Sequence, residues 1–282
     1  MKVGFLTDYS QEAVEQAQRI GCTSLALGAA PGSPLDVTKV NKARAAQVRE
    51  TMDAAGLEIS VLSWHTNTLD PKRRGQIMGY MRRMIDLAAE MKVKAIACFA
   101  GRLPGKSIEE SIPDFKKVFG PLAKHAENRR VKIAIENCPM FCGWPFYGMN
   151  IAYTPAAWDM MFDAVPSKAL GLEFDPSHLY WLHIDYIDAV HRYGDRIHHV
   201  HAKDTEILGD RFAREGIYGT GWWRFRIPGW GDIDWQAFVS ALLDVGYDGC
   251  VDVEHEDPVF HGPRHWEGME MGVKYLRQYI LG

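Results

Sequence analysis

The chain has 282 residues, of which 47% are hydrophobic and 24% are charged, and this is the composition of a globular protein with a large core. The formal net charge is −4 and no basic run is longer than Lys72-Arg73-Arg74, which argues against a nucleic-acid surface. Five cysteines without framework spacing indicate a reducing compartment, and no apolar run approaches the ~20 residues that span a bilayer. Because Met1-Lys2-Val3 enters a strand without a signal-peptide pattern, we expect a cytoplasmic protein.

Apolar runs rich in β-branched residues alternate with amphipathic segments along the chain. Strands are predicted at residues 3–7, 23–27, 57–64, 95–99 and 131–136, and three later strands end at Asp175, His201 and Glu254. Helices are predicted between the strands from capping signals and periodicity, and they begin at Ser10, Asp36, Pro71, Ser107, Thr154, His183, Asp234 and about Pro263.

This order of elements predicts the fold. Alternation of strands and helices produces a parallel sheet, and eight such units close it into a (β/α)₈ TIM barrel. We therefore expect an α/β protein in which residues 1–282 form one barrel domain with long loops after strands 5 and 7. A doubly wound open sheet is the alternative, but no Gly-x-Gly-x-x-Gly turn follows the first strand.

Four predicted strands end on an ionisable residue, namely Glu136, Asp175, His201 and Glu254. A charged group at the end of a buried strand costs folding energy unless a cation or a hydrogen-bond network compensates it. In a barrel the carboxyl ends of all strands meet at one mouth, so residues distant in sequence converge there. Each residue alone could be an isolated polar strand end, but the set of four predicts a shared binding site.

Three carboxylates and one imidazole suit a divalent cation of intermediate hardness. Mn²⁺, Mg²⁺ and Co²⁺ fit such ligands, and Zn²⁺ is a further candidate. An octahedral ion would keep two positions open for adjacent carbonyl and hydroxyl oxygens of a substrate, and it would stabilise an enediolate as a Lewis acid. Carboxylates on opposite walls of the mouth could then serve as a paired acid and base.

The second half of the chain resembles the xylose isomerase-like TIM barrel superfamily, in particular its sugar phosphate isomerase/epimerase group. The matching segments are Ile135-Glu-Asn137, Phe174-Asp-Pro-Ser-His178, His199-Val-His-Ala-Lys-Asp204, Pro228-Gly-Trp-Gly-Asp-Ile-Asp234 and Val253-Glu-His255. The resemblance implies one metal ion held by the four strand-end residues. It also implies that Glu136 and Glu254 exchange protons with the substrate, and that His178 contacts substrate oxygens.

Three further residues are candidates for substrate contacts. His65 ends the third strand and is expected to face the mouth, where it either bonds the substrate or serves as a structural histidine. Lys203 follows His201 and could neutralise enolate charge, with a surface ion pair as the alternative. Arg226 is the arginine that we expect near the substrate. His199 shares the strand face of His201 and is therefore expected to point into the barrel, unlike His198.

Two segments are rich in aromatic residues, at residues 141–147 and 218–226. The second lies in a 31-residue excursion from Ala202 to Asp232, which is too long for a plain connector. Aromatic rings bind the apolar faces of sugars, but such loops also pack against themselves or a neighbouring subunit. We expect this excursion both to wall the pocket and to contact a partner in a homo-oligomer, a dimer or a tetramer.

The predicted function is that of a metal-dependent isomerase or epimerase of a ketose or keto-sugar. Proton abstraction beside a carbonyl also begins β-elimination, so a lyase or dehydratase acting on a keto-inositol or a 3-keto-glycoside is the main alternative. An apurinic endonuclease, which needs extra histidines for a metal cluster, is disfavoured by the net charge, by the fourth strand ending in Cys98-Phe99 and by a loop from Ala202 to Asp232 without a further histidine. A non-catalytic partner subunit is the remaining alternative.

Overall fold

The computed structural model describes residues 1–143 and 147–280. Within this part of the chain eight parallel strands close into a barrel in the order β1-β12-β9-β8-β5-β4-β3-β2, and two antiparallel pairs, β6-β7 and β10-β11, lie outside it. The strands are β1 Lys2–Thr7, β2 Ser24–Gly28, β3 Glu58–Trp64, β4 Ala95–Cys98, β5 Lys132–Glu136, β6 Phe141–Gly143, β7 Tyr147–Gly148, β8 Leu170–Phe174, β9 Ile197–Ala202, β10 Asp204–Ile207, β11 Trp223–Arg226 and β12 Cys250–Val253. The predicted barrel is confirmed.

Helices follow the barrel strands and cover their outer surface. They are α1 Gln11–Ile20, α2 Lys42–Ala54, α3 Arg74–Glu90, α4 Ile108–Arg129, α5 Pro155–Ala164, α6 Pro176–Trp181, α7 Tyr186–Tyr193, α8 Gly209–Glu215, α9 Trp235–Asp244 and α10 His265–Leu276. Four predicted caps are present, because the side chains of Ser10, Ser107, Thr154 and Asp234 each accept a backbone N–H of the first turn. No helix of the described residues is long and apolar enough to cross a membrane.

Alternation along each strand divides its side chains between the helical layer and the barrel axis. On β5, Ile133 and Ile135 are buried in the main core, which lies between the strands and the helices. The axis on the side of β2 to β5 is filled by a separate cluster of small apolar residues, which includes Ala26, Ala97 and Ala134. The barrel interior therefore has a tightly packed apolar half, and the residues described below make its other half polar.

Three helix starts were predicted too early. Helix α2 begins after its cap Asn41, and not at Asp36. Helix α3 begins at Arg74 because the residues after Pro71 form a turn in which Asp70 Oδ1 accepts the N–H of Lys72 at 2.9 Å. Helix α7 is capped by Asp185, since His183 has a φ of 56° that ends the preceding turn. In the first two cases Asp36 and Asp70 accept local turn bonds instead of capping a helix.

Asp36 instead organises the loop between β2 and α2. Its buried carboxylate accepts hydrogen bonds from the N–H of Gly32 at 2.9 Å and of Thr38 at 3.0 Å, and also from the hydroxyl of Tyr80 at 3.2 Å. The backbone N–H groups of Gly32 and Thr38 lower the pKa of Asp36 from 3.8 to about 2. The carboxylate thus holds this loop against helix α3.

Asp36→Ala should lower the free energy of unfolding by about 1–3 kcal/mol at pH 7, because it leaves these donors without their acceptor. The folded-state pKa of Asp36 is depressed, so its contribution is present above pH 3.8 and is lost as the pH falls toward 2. Urea unfolding at pH 7 and at pH 2.5 measures this, and the difference between the two proteins should be clearly smaller at the lower pH. An equal difference at both values would contradict the assignment.

The excursion after β9 is more regular than predicted. Strands β10 and β11 pair from Asp204↔Arg226 to Ile207↔Trp223, and helix α8 lies between them. Asp204 fixes the return of the chain, because its carboxylate accepts the N–H groups of Gly229 and Ile233 at 2.9 and 3.1 Å. This hairpin stands on the rim of the barrel directly after His201.

Candidate functional site

The structure brings the four predicted metal ligands together at the carboxyl-terminal rim of the barrel. Glu136 ends β5, Asp175 follows β8 as the cap of α6, His201 lies in β9 and Glu254 follows β12. One ligand atom from each residue lies within 4.8 Å of the others. Glu136, Asp175 and His201 are buried, and only Glu254 is partly open to solvent. Convergence of four strand ends is the geometry that the barrel topology predicts.

The cluster fits a divalent cation. Asp175 Oδ2 and His201 Nδ1 are buried atoms without a hydrogen-bond partner among the described residues. His201 Nδ1 also lies 3.1 Å from Glu254 Oε2 and 3.5 Å from Glu136 Oε1, so several groups that can bind a metal face one another. Buried polar atoms are normally satisfied. A cation among three carboxylates and one imidazole would satisfy all of them.

Backbone contacts fix the carboxylate of Asp175. Asp175 Oδ1 accepts the N–H of Ser177 at 2.8 Å, which leaves Oδ2 for the cluster. Asn137 binds the backbone of Asp175 twice, through Oδ1 at 2.7 Å and Nδ2 at 2.8 Å, and so ties the ends of β5 and β8 together. Burial and the charge of Glu254 tend to raise the pKa of Glu136, but the charge of His65 and contacts with His178 and His201 lower it to about 2.

Lys203 is a buried cation within the carboxylate cluster. Its Nζ is 2.7 Å from Glu254, 3.2 Å from Asp175 and 3.2 Å from Glu256, and it lies over the ring of Phe225 at 4.6 Å. Burial acts to lower the pKa of Lys203, but the charges of Glu254, Asp175 and Glu256 outweigh it and raise the pKa well above its usual range. The alternative of a surface ion pair is wrong, because the side chain is 2% exposed.

A cavity of about 360 Å³ opens above the cluster. Its wall includes Glu136, Glu254, Lys203 and both predicted histidines, His65 and His178. His178 Nε2 lies 3.3 Å from Asp175 Oδ2, and His65 Nε2 lies 3.4 Å from Glu136 Oε2. The structure therefore places both histidines beside the predicted metal ligands.

Aromatic residues of the excursion form one side of this cavity. Trp223 and Phe225 line it, and Trp223 stacks on Trp181 with ring centroids 4.6 Å apart. In the other aromatic segment, Trp144 and Phe146 lie outside the described residues.

Arg226 is placed differently from the prediction. Its guanidinium binds Asp257 through Nε at 2.8 Å and Glu206 through Nη1 at 2.6 Å, and it does not line the described wall of the cavity. The arginine therefore ties the excursion to the loop after β12, and this placement does not support a substrate contact. Neighbouring residues of a strand point to opposite faces, so Arg226 points away from the face of β11 that carries Phe225.

A second cavity of about 1190 Å³ adjoins the first one and shares His65, Phe99 and Met140 with it. It lies over the loops that follow β3 and β4, and Arg102 and Lys72 are among its cationic wall residues. The two cavities together offer more room than one sugar ring requires, since pockets for drug-sized ligands enclose about 300–1,000 Å³.

Sequence analysis found only one member of a group of three buried polar residues directly beneath the cluster. Glu173, His199 and Asp252 each lie two positions before a predicted metal ligand, and they are 0–1% exposed. Residues i and i−2 share one face of a strand, so the same alternation that finds the ligands also places these three at the barrel axis. Only His199 was predicted there, and its contacts with Glu173 and Asp252, both at 2.8 Å, confirm that position.

Comparison with known proteins agrees with the fold. Residues 14–279 match the family model described as xylose isomerase-like TIM barrel. The uncharacterized protein YfiH of Bacillus subtilis is 26% identical and aligns over 99% of both chains. An inosose dehydratase of Clostridium perfringens is 30% identical over 138 residues, which is 46% of this chain and 44% of the dehydratase.

Solved structures with the same fold include the IolI protein with a bound zinc atom, at a TM-score of 0.75, 20% identity and 99% coverage of both chains. The 3-keto-D-glucoside 4-epimerase of E. coli superimposes with a TM-score of 0.73, 18% identity and 99% coverage of both. At these identities the likeness concerns the fold alone. The match of the family model over nearly the whole chain shows that this protein belongs to the xylose isomerase-like TIM barrel family.

Proposed function

We propose that this protein is a divalent-metal-dependent isomerase or epimerase of a ketose or keto-sugar. The observation that carries the proposal is the cluster of Glu136, Asp175, His201 and Glu254, of which Glu136 and Glu254 line a cavity of about 360 Å³. The zinc in the IolI structure and the epimerase among the structural neighbours support it. Because the reaction needs a carbon acid beside a carbonyl, the substrate would carry adjacent carbonyl and hydroxyl groups.

Glu136, Asp175, His201 and Glu254 would hold the ion, which would be Mn²⁺, Mg²⁺, Co²⁺ or Zn²⁺. When bound, the ion supplies Lewis-acid stabilisation of negative charge on the substrate oxygens. Its preference among these metals follows from three oxygen ligands and one nitrogen ligand, which favour a harder ion than thiolate sites do.

Glu136 and Glu254 would also carry the protons. In the barrel β5 and β12 are separated by β8 and β9, so the two glutamates reach the cavity from different sides. Charged neighbours lower the pKa of both against the effect of burial, so each is ionised at neutral pH and able to accept a proton. One glutamate would remove a proton from one face of the carbon, and the other, after taking up a proton from solvent, would give that proton to the opposite face.

The neighbouring side chains would orient the substrate. His65 and His178 offer ring nitrogens to hydroxyl groups on the cavity wall, and Trp223 and Phe225 offer ring faces to C–H groups. Lys203 would balance negative charge close to Glu254. For the assembly, we propose a homo-oligomer, a dimer or a tetramer.

The second candidate function is that of a lyase or dehydratase acting on a keto-inositol or a 3-keto-glycoside with the same cluster. Two observations favour it. The adjoining cavity of about 1190 Å³ could receive a substituent beyond the first ring. The partial match to an inosose dehydratase points to elimination in a relative.

Exchange of a substrate C–H for solvent deuterium tests both functions. Protein loaded with Mn²⁺ would be incubated in D₂O with D-fructose, D-tagatose, a keto-inositol and a 3-keto-glycoside, followed by mass spectrometry and NMR. We expect exchange with at least one substrate, loss of exchange on chelation and recovery with added metal. An epimer among the products supports the first function, and an unsaturated product supports the second. Stoichiometric metal binding without exchange in any substrate would contradict the proposal.

A further inference from the structure

Glu173 is a carboxylate buried at the barrel axis with histidines on several sides. Its Oε2 lies 2.8 Å from Nε2 of His65. Its Oε1 lies 2.8 Å from Nδ1 of His199 and 3.2 Å from Nε2 of His201. None of its surface is exposed. The His201 contact is longer than the other two and does not reach the geometry of a regular hydrogen bond.

This arrangement determines which nitrogen of His201 is free for a metal ion. A neutral imidazole has one N–H donor and one lone pair, and an ionised carboxylate can only accept. With an ion on the lone pair of one nitrogen, the other nitrogen carries the hydrogen, and Glu173 offers an acceptor for that hydrogen at Nε2. Nδ1 faces Glu136 and Glu254 in the candidate metal cluster and would give its lone pair to the ion. A carboxylate behind a metal-bound histidine commonly fixes the ring and its tautomer in this way.

Further buried contacts hold Glu173 on the side away from the candidate metal cluster. His199 lies between Glu173 and Asp252, with Nδ1 and Nε2 each 2.8 Å from a carboxylate oxygen. The Oγ of Ser24 donates to Asp252 Oδ1 at 2.6 Å, and the hydroxyl of Ser60 donates to the other oxygen. This chain of contacts runs from β2 and β3 to β8, and it leaves Glu173 little freedom to turn away from His201.

Such a buried polar chain is not needed to fill the barrel. The other half of the same interior is packed with small apolar residues such as Ala26, Val61 and Ala97. Replacing buried ion pairs by well-packed apolar groups is often neutral or stabilising. The polar chain therefore indicates a function beyond stability. Its last member, Glu173, contacts His201 of the candidate metal cluster.

We propose that Glu173 is a positioning residue that holds His201 in the orientation and tautomer that present Nδ1 to the divalent ion. The His199–Asp252 pair keeps Glu173 in place for this role. The inference rests on the proposed metal site. It adds a residue that the ion does not touch but on which the affinity for the ion depends.

Metal binding to the metal-free protein tests the role without any substrate. Glu173→Leu removes the acceptor at similar size, and Glu173→Gln keeps one acceptor oxygen but adds an N–H₂ group that opposes the histidine donors. Leu172→Val on the same strand is the matched control, because it loses buried volume on the helical side of β8. Calorimetric titration with Mn²⁺ measures affinity, and the visible spectrum of the Co²⁺ form reports ligand geometry.

We expect a loss of affinity of about 10–100-fold in Glu173→Leu, the range for a residue that orients a metal ligand. Glu173→Gln should lose affinity by at least several-fold and change the Co²⁺ spectrum, whereas Leu172→Val should match the wild type in both. In the Zn²⁺ form of the wild type, ¹⁵N NMR should show a protonated Nε2 and a metal-bound Nδ1 for His201. Glu173→Gln serves alone if Glu173→Leu does not fold.

Wild-type affinity and an unchanged Co²⁺ spectrum in Glu173→Gln would overturn the positioning role and leave the proposed function intact. Metal bound through Nε2 of His201 would overturn it as well. If the wild-type protein binds no divalent ion, the proposed function fails and the inference falls with it. These outcomes are distinguishable because the titrations involve no turnover.

Discussion

Glu136→Gln and Glu254→Gln should each lower turnover by about 10²–10⁴-fold, the usual effect of losing a general acid or base. Glutamine keeps the size of the side chain and one oxygen that can face the ion, but it cannot take up a proton. Both residues line the cavity of about 360 Å³, so substrate should still enter. Turnover must be measured at saturating Mn²⁺, with bound metal determined in the same samples.

Deuterium exchange separates the roles of the two glutamates. In an epimerase, the variant that keeps the abstracting base should still exchange the substrate proton with solvent while it fails to form the epimer. In a lyase, only the variant that lacks the abstracting base should stop exchange, and the wild type should form no epimer. The variants therefore identify the abstracting base, and the product of the wild type, an epimer or an unsaturated compound, distinguishes the two candidate functions.

Glu58→Gln is the matched control for both variants. Glu58 opens β3 at the opposite, amino-terminal end of the barrel, where it pairs with Lys2 and Lys94. Residues at that end of a TIM barrel serve stability, so its loss should leave turnover unchanged. Near-wild-type turnover in Glu136→Gln and Glu254→Gln with metal bound would exclude the paired-glutamate mechanism. His65, His178 and Lys203 would then be the next candidates for the base.

The barrel and the cluster were predictable for one physical reason. A parallel barrel brings the carboxyl ends of its strands to one rim, so finding the strand ends is enough to collect the residues of the site. Glu136 and Asp175 stand directly at such ends, which makes their convergence a consequence of topology. Errors of one or two residues in strand length do not affect this result.

Helix starts and loop partners were harder to predict. Asp36 and Asp70 are good capping residues, but each forms a local turn, and the sequence carries no sign of which bond the backbone will accept. Arg226 sits in a segment with a suitable composition for substrate binding, but its position depends on Asp257, 31 residues later in the chain. Contacts of this kind become visible only when the pairing of β10 with β11 is known.

Glu173 could have been found by applying the alternation rule once more. The residue two positions before Asp175 must share its inward face, and a carboxylate there is unusual for a buried strand. The rule does not reveal its partners, because His65, His199 and His201 come from two other strand regions. The sequence therefore predicts that Glu173 points inward, but its contacts with the histidines are known only from the fold.

Lys203→Met should lower the free energy of unfolding of the metal-free protein by about 3–5 kcal/mol, the range for removing one partner of a buried ion pair. The ammonium is the cation shared by Glu254, Asp175 and the half-exposed Glu256. Without the ammonium, these carboxylates remain close together and less of their negative charge is balanced. Urea unfolding in the presence of a chelator measures the loss.

Added metal should recover much of that loss, because a divalent ion brings two positive charges to the same carboxylates. A thermodynamic cycle then requires that Lys203→Met binds Mn²⁺ more tightly than the wild type does. Lys168→Met is the matched control, since its ion pair with Asp195 is exposed and should contribute about 0–1 kcal/mol. If Lys203→Met instead weakens metal binding, the ammonium helps to bind the ion and does not merely balance the charge of the carboxylates in the metal-free protein. Lys203 would then belong with Glu173 among the residues that orient the cluster.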